Sequence, residues 1–86
     1  MAIYAVIGSD DPEKLGEHLI NKFGSSEVLS ISNGQWLLST QQTTNEVFAH
    51  IGEDGENGDF LLFPVKHYAG FQEASVWEWL ESKESK

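Results

Sequence analysis

The sequence predicts an α+β domain of the split βαβ type, with the element order βαββαβ and a further helix at the C-terminal end. Two observations support this prediction. Apolar runs typical of strands alternate with segments whose apolar residues recur at helical spacing. An Asn33-Gly34 pair separates the second and third of the apolar runs, which is typical of a β-hairpin. Right-handed crossovers then predict an antiparallel sheet with the strand order 4-1-3-2.

The first strand and the first helix follow each other closely. Ala2–Ile7 is a nearly unbroken apolar run, as expected for a strand in the middle of a sheet. Asp11 occupies the N-cap position of the helix, and Pro12 is suited to its first turn. Gly24 is suited to ending the helix. The buried stripe between them is formed by Leu15, Leu19 and Phe23.

A hairpin and a short helix come next. The second and third strands are predicted at Val28–Ile31 and Trp36–Ser39, joined by Asn33-Gly34 in a type I′ turn. Thr43 and Glu46 have the spacing of a capping box, which predicts the start of the second helix.

The last strand and the last helix complete the fold. Phe60–Val65 is predicted to be an edge strand, because Pro64 has no N–H to donate to a neighbouring strand. Glu73–Ser82 is predicted to be the last helix. The whole arrangement is ferredoxin-like, with two helices on one face of the sheet. The opposite face, to which the large residues Trp36, Phe60 and Phe63 are assigned, needs cover from the final helix, from a second subunit, or from both.

Length and composition limit the class of protein. A chain of 86 residues forms one small domain of marginal stability, so we expect a homodimer, which buries more surface. The absence of cysteine excludes disulfides and thiolate zinc sites. No apolar run is long enough for a membrane helix, and no basic signal region is visible. We therefore expect a cytoplasmic protein without membrane contact.

The charge is strongly negative. Fourteen acidic residues stand against five lysines, with no arginine, and the formal net charge is −9. Such a surface repels the phosphate backbone, so binding to nucleic acid is not expected. The charge either serves solubility or forms an acidic patch for a basic protein partner.

Several segments together suggest a family. The runs Gln35–Thr40, Asp59–Leu62, Tyr68–Phe71 and Trp77–Leu80 resemble the SinR-like small proteins. That group is similar in fold to the small ferredoxin-like CRISPR-associated nuclease and to the virulence-associated D toxins. In this wider group an aspartate usually ends the first strand and binds a divalent metal with its counterpart across a two-fold axis. The resemblance places that position at Ser9, and Asp10 follows it.

Asp10 and Asp11 are the candidate catalytic and metal-binding residues. As oxygen ligands at the end of a strand they would hold Mg²⁺, which activates water for attack on a phosphodiester. The structural alternative is that Asp11 caps the first helix and Asp10 is solvated beside it. Ser9 is a weaker Mg²⁺ ligand than a carboxylate.

A second acidic group lies between the second helix and the last strand. Its spacing fails the calcium-loop pattern because Gly58 occupies a ligand position, so a solvated loop is favoured. The group consists of Glu53, Asp54, Glu56 and Asp59.

The homodimer is expected to assemble along the edge that runs from Phe60 to Tyr68, because an unprotected apolar edge tends to pair. The candidate interface residues are Phe60, Leu62, Tyr68 and Trp79. The main functional hypothesis is a non-catalytic, dimeric interaction or regulatory module without a cofactor. The alternative is an Mg²⁺-dependent endonuclease acting on RNA or DNA, as the resemblance implies.

Overall fold

The computed structural model describes residues 2–8, 12–66, 69–70 and 74–84. It is an α+β structure with one four-stranded antiparallel sheet, and the described residues form three α-helices. The sheet order is β2-β3-β1-β4, which is the predicted order 4-1-3-2 read from the other side. The elements are β1 (Ala2–Gly8), α1 (Pro12–Phe23), β2 (Val28–Ser32), β3 (Gln35–Thr40), α2 (Thr44–Ile51), β4 (Phe60–Val65) and α3 (Ala74–Glu84). The predicted α+β class and strand order are confirmed.

The central position of β1 fixes the faces of the sheet. Ala5 lies between Leu37 of β3 and Phe63 of β4, and Ile7 lies between Gln35 and Leu61. Directly opposed residues of paired strands share a face. The odd-numbered residues of these three strands therefore lie on one face, and the even-numbered ones on the other.

Helices α1 and α2 cover the face of the even-numbered residues. Trp36 of β3 is buried there and packs against α1 at Gly16, where an added Cβ would lie 3.1 Å from the indole. The assignment of Trp36 and Phe60 to the opposite face was wrong. Trp36 pairs with Val6. The alternation along the strands turns the side chains of Trp36 and Phe60 toward the two helices. This core contains Tyr4, Val6, Leu15, Leu19, Val28, Trp36, Leu38, Val47 and Ile51, with Phe23, Phe60 and Leu62 packed at its margin.

Helix α3 covers part of the opposite face. Val76 and Leu80 pack on Ile3 and Leu37. The final helix therefore buries part of the face that α1 and α2 do not cover. The helix continues to Glu84 rather than ending at Ser82 as predicted. Its predicted first residue, Glu73, lies outside the described residues.

The hairpin between β2 and β3 forms at Asn33-Gly34, but the expected type I′ turn is wrong. Gly34 has a φ of 83°, whereas no described residue other than glycine has a positive φ. A type I′ turn requires a positive φ at Asn33 too. The strand pairing shifts between Ser30 and Ser32, which marks a bulge.

The ends of two helices follow the sequence signals. Thr43 and Glu46 form the predicted capping box, with each side chain accepting a hydrogen bond from the other residue's backbone N–H. Helix α1 ends before Gly24, whose N–H donates to Ile20 O at 2.9 Å. The predicted cap at Asp11 lies outside the described residues.

Over the part of the chain that the structure describes, no helix has the length and apolar character needed to cross a membrane.

Candidate functional site

The predicted catalytic positions fall at the junction of β1 and α1. Ser9, Asp10 and Asp11 all lie outside the described residues, so the roles of Asp10 and Asp11 in catalysis and Mg²⁺ binding stay predictions. The structure describes the residues on either side of these positions. Gly8 N–H donates to Gly34 O at 2.8 Å, and Pro12 begins α1.

An acidic cavity opens where α2 leads into β4. Its volume is about 410 Å³. The wall combines two phenylalanines with the loop that joins the two elements, and three of the loop residues carry carboxylates. The lining residues are Phe48, Gly52, Glu53, Asp54, Gly55, Gly58, Asp59 and Phe60. We refer to this feature as the acidic cavity.

Consecutive turns shape the loop of the acidic cavity. Gly52 ends α2 with a φ of 136°, and its N–H donates to Phe48 O at 3.0 Å. Gly55 N–H then donates to Gly52 O at 3.3 Å, and Gly58 N–H donates to Gly55 O at 3.1 Å. All three glycines have a positive φ, which side chains with a Cβ rarely adopt. The glycines therefore allow a tightly folded loop.

Hydrogen bonds attach this loop to the two neighbouring helices. Lys14 Nζ on α1 donates to Glu56 O at 2.8 Å, and Asn57 Nδ2 donates to Ile51 O at 2.7 Å. The side chain of Glu56 turns back on the loop, where its Oε1 accepts from Asp54 N–H at 3.3 Å. The Glu56 side chain thus stabilises the loop, while Glu53, Asp54 and Asp59 line the cavity.

The aromatic part of the acidic cavity is formed by two rings. Phe48 of α2 is exposed over 40% of its surface, and Phe60 of β4 is half-buried. Their ring centroids lie 5.9 Å apart with an interplanar angle of 49°. An aromatic face attracts cations, and carboxylates attract them more strongly over a longer range. The arrangement is therefore suited to a cationic group attached to an apolar stem.

Two histidines contribute to packing. His18 on α1 makes a hydrogen bond through Nε2 to the carbonyl oxygen of His50 on α2. The His50 ring meets Phe23 edge-on at 6.0 Å between centroids. Within the described ranges, no group of three or more histidine, aspartate or glutamate side chains is placed to hold a metal ion.

The predicted interface residues occupy different environments. Phe60 and Leu62 are half-buried, and their side chains pack at the margin of the core under α1 and α2. Trp79 is half-buried against the other face, and its Nε1 donates to Ser26 O at 3.2 Å. Tyr68 lies outside the described residues. Their roles in an interface stay predictions.

Exposed apolar side chains lie together on the face that carries α3. Ile7 and Leu61 are directly opposed across β1 and β4, and Phe63 is two residues further along β4. Their exposed fractions are 38%, 62% and 41%. We call these three residues the sheet patch. Sequence reasoning named Phe63 but missed Ile7 and Leu61. The alternation of residues along β4 separates Leu61 from Phe60, but it does not tell which face a helix covers.

Comparisons with protein-family models, with curated proteins and with solved structures found no match to this chain.

Proposed function

We propose that this chain is a non-catalytic interaction module with a ferredoxin-like arrangement, related in scaffold to small nucleases, which acts as a homodimer and binds a basic partner protein. The acidic cavity is the observation that supports this proposal most. It combines exposed aromatic surface with carboxylates in one concave site of about 410 Å³.

The cavity has room for a lysine or arginine side chain of the partner, and its lining suits that chemistry. The alkyl stem of that side chain would pack on Phe48 and Phe60, while its charged head would approach Glu53, Asp54 and Asp59. A cation above an exposed aromatic ring contributes about 0.5–1 kcal/mol, and an exposed ion pair contributes about 0–1 kcal/mol. A single side chain therefore binds weakly, and useful affinity requires several basic residues in the partner.

The overall charge favours the same class of partner. A formal charge of −9 attracts a basic protein at long range and accelerates its association. The same charge repels nucleic acid, whose affinity for proteins depends on basic groups at the phosphates.

A titration with a lysine- and arginine-rich peptide tests this function. The double variant Glu53→Gln/Asp54→Asn removes two negative charges from the cavity. The control Glu17→Gln/Glu81→Gln removes the same charge from exposed helix positions. We expect the cavity variant to weaken binding by roughly 3–10-fold, the equivalent of about 1 kcal/mol, and the control to have a much smaller effect. Equal weakening by both variants would mean that the peptide responds only to net charge, and the cavity would lose its role.

The homodimer is proposed on physical grounds. A domain of this size buries a smaller fraction of its unfolded-chain surface than a large domain does, and the sheet patch leaves three large apolar side chains exposed on one face. A second copy would cover them. We also propose a cytoplasmic location, since the chain has no cysteine and none of its chemistry requires an oxidising compartment.

The endonuclease alternative depends on the resemblance and on Asp10. Cleavage of RNA or DNA with Mg²⁺ by the purified protein, lost in Asp10→Ala, would replace the interaction module with that alternative. The same assay without cleavage leaves the interaction module in place.

A further inference from the structure

The strand pairing determines which residues of β4 direct their backbone N–H and C=O groups toward the outer edge of the sheet. Gly8 N–H donates to Gly34 O, so the even-numbered residues of β1 direct their backbone groups toward β3. In an antiparallel ladder this direction alternates from residue to residue. The backbone N–H and C=O groups of Ile3, Ala5 and Ile7 therefore point toward β4. It follows that the N–H and C=O groups of Phe60 and Leu62 point away from the sheet. Within the described part of the chain, no strand pairs with this edge.

Pro64 fits this geometry. It is the third residue of β4 whose backbone is directed outward, so its missing N–H costs the sheet no hydrogen bond. It can still accept a hydrogen bond through its carbonyl group. The edge can therefore pair with another strand from Phe60 to Pro64, but it offers no donor at Pro64.

We propose that two copies of this chain pair antiparallel along β4, with Leu62 opposite Leu62 of the second copy. This inference rests on the homodimer of the proposed function and specifies its contact. Outward-facing residues must oppose one another, which allows two-fold pairings centred on Leu61, Leu62 or Phe63. The pairing centred on Leu62 places the Leu61 side chain of each copy beside Phe63 of the other. It therefore joins the two sheet patches into one apolar surface.

Charge favours the antiparallel direction. Asp59 precedes β4 and Lys66 follows it, and both are exposed. An antiparallel pair brings the acidic end of each strand close to the basic end of the other, whereas a parallel pair would place like charges together. The acidic cavity opens at Phe60, on the face opposite the sheet patch. Asp59 then lies near Lys66 of the second copy, which leaves Glu53 and Asp54 of each acidic cavity for a basic partner.

A charge exchange tests the proposed register. Leu61→Glu or Phe63→Lys alone places an unpaired charge against an apolar side chain of the second copy, so each is expected to weaken dimerisation by at least 10-fold. In the double variant Leu61→Glu/Phe63→Lys, the two introduced charges of opposite sign would face each other across the interface, and dimerisation should recover. In the pairings centred on Leu61 or Phe63, two identical charges would meet instead, and the double variant would stay monomeric.

Sedimentation equilibrium measures the mass of each variant. Ile20→Lys is the control, since Ile20 is an exposed apolar residue on α1, 45% exposed. Circular dichroism checks that each variant is folded. Single variants that dimerise like the wild type, or a double variant that stays monomeric, would overturn the proposed register while leaving a homodimer through another surface. A monomeric wild type would overturn the homodimer itself, and the peptide titration tests the acidic cavity independently of both.

Discussion

Individual residues decide how closely the elements of this chain approach each other. Gly34 lies in the hairpin turn, where a Cβ would come within 2.9 Å of the Gly8 carbonyl oxygen. Gly55 lies in the loop of the acidic cavity with a similar positive φ, but a Cβ there would meet nothing within 4 Å. The two positions therefore separate the strain of the backbone conformation from the effect of crowding.

Gly34→Ala is expected to lower the free energy of unfolding more than Gly55→Ala. Both substitutions carry the strain of a left-handed conformation, about 1–2 kcal/mol, and only the first adds a collision with backbone. Urea unfolding followed by tryptophan fluorescence measures the difference. Equal losses in the two variants would contradict the close approach of the hairpin turn to β1.

Glu46 makes the capping of α2 sensitive to pH. The hydrogen bond from the Thr43 backbone, reinforced by the Thr43 side chain, lowers the pKa of Glu46 below its ordinary value of 4.5. A carboxylate whose folded pKa is lowered stabilises the fold above its unfolded pKa, and this stabilisation is lost as pH falls through the folded pKa.

Glu46→Gln should remove that part of the pH dependence. Glutamine can keep the hydrogen bond of the capping box but does not titrate. The free energy of unfolding should therefore fall less between neutral pH and acid in the variant than in the wild type. Thr43→Ala, which removes the cap, should cost about 1 kcal/mol at neutral pH. Identical pH profiles for wild type and Glu46→Gln would disprove the assignment.

At the scale of elements, α3 is attached to the rest of the chain by specific polar contacts as well as apolar ones. Lys83 Nζ lies 3.0 Å from Glu27 Oε1 and 5.8 Å from the centroid of the Trp79 ring. The Lys83 side chain is only 8% exposed, while the Glu27 side chain is 24% exposed. A buried lysine needs its carboxylate, so this pair fixes where the helix docks.

Lys83→Met is expected to destabilise the fold by about 1–3 kcal/mol, because it leaves the Glu27 carboxylate without this cation. Lys22→Met, at an exposed lysine in the last turn of α1, should change the free energy of unfolding by less than about 0.5 kcal/mol. The double variant Lys83→Met/Glu27→Gln should regain part of the loss. If the losses of Lys83→Met and of Glu27→Gln, each measured alone, add up to the loss of the double variant, the pair is not coupled.

Sequence patterns predicted the elements well and the faces less well. The alternation of apolar residues and the capping box at Thr43 located the elements, since each reflects local chemistry, and right-handed crossovers predicted the order of the sheet, with Pro64 at its edge. The face that Trp36 occupies depends on strand register and on the space at Gly16, which are properties of the folded chain. The acidic cavity was foreseen only as a group of acids, because the approach of Phe48 to Phe60 joins two distant segments.

At the scale of the whole molecule, the charge acts in opposite directions on the two proposed contacts. Two copies that each carry a formal charge of −9 repel each other, whereas a basic partner is attracted. Salt screens both effects, with a Debye length of about 10 Å at 0.1 M.

Raising the salt concentration should therefore strengthen the homodimer and weaken binding of the basic peptide. The dimer dissociation constant from sedimentation and the peptide dissociation constant from titration, measured over one series of salt concentrations, should change in opposite directions. If both constants rise or both fall along the series, one of the two contacts does not have the proposed electrostatic character.

A second copy is proposed to cover the exposed face and edge of β4, and the mass of the wild-type protein is the simplest test of this claim. Sedimentation equilibrium at moderate salt should give twice the 9.6 kDa of one chain, and Phe63→Lys should shift the mass toward that of one chain. A wild-type mass of 9.6 kDa at high protein concentration would contradict the claim.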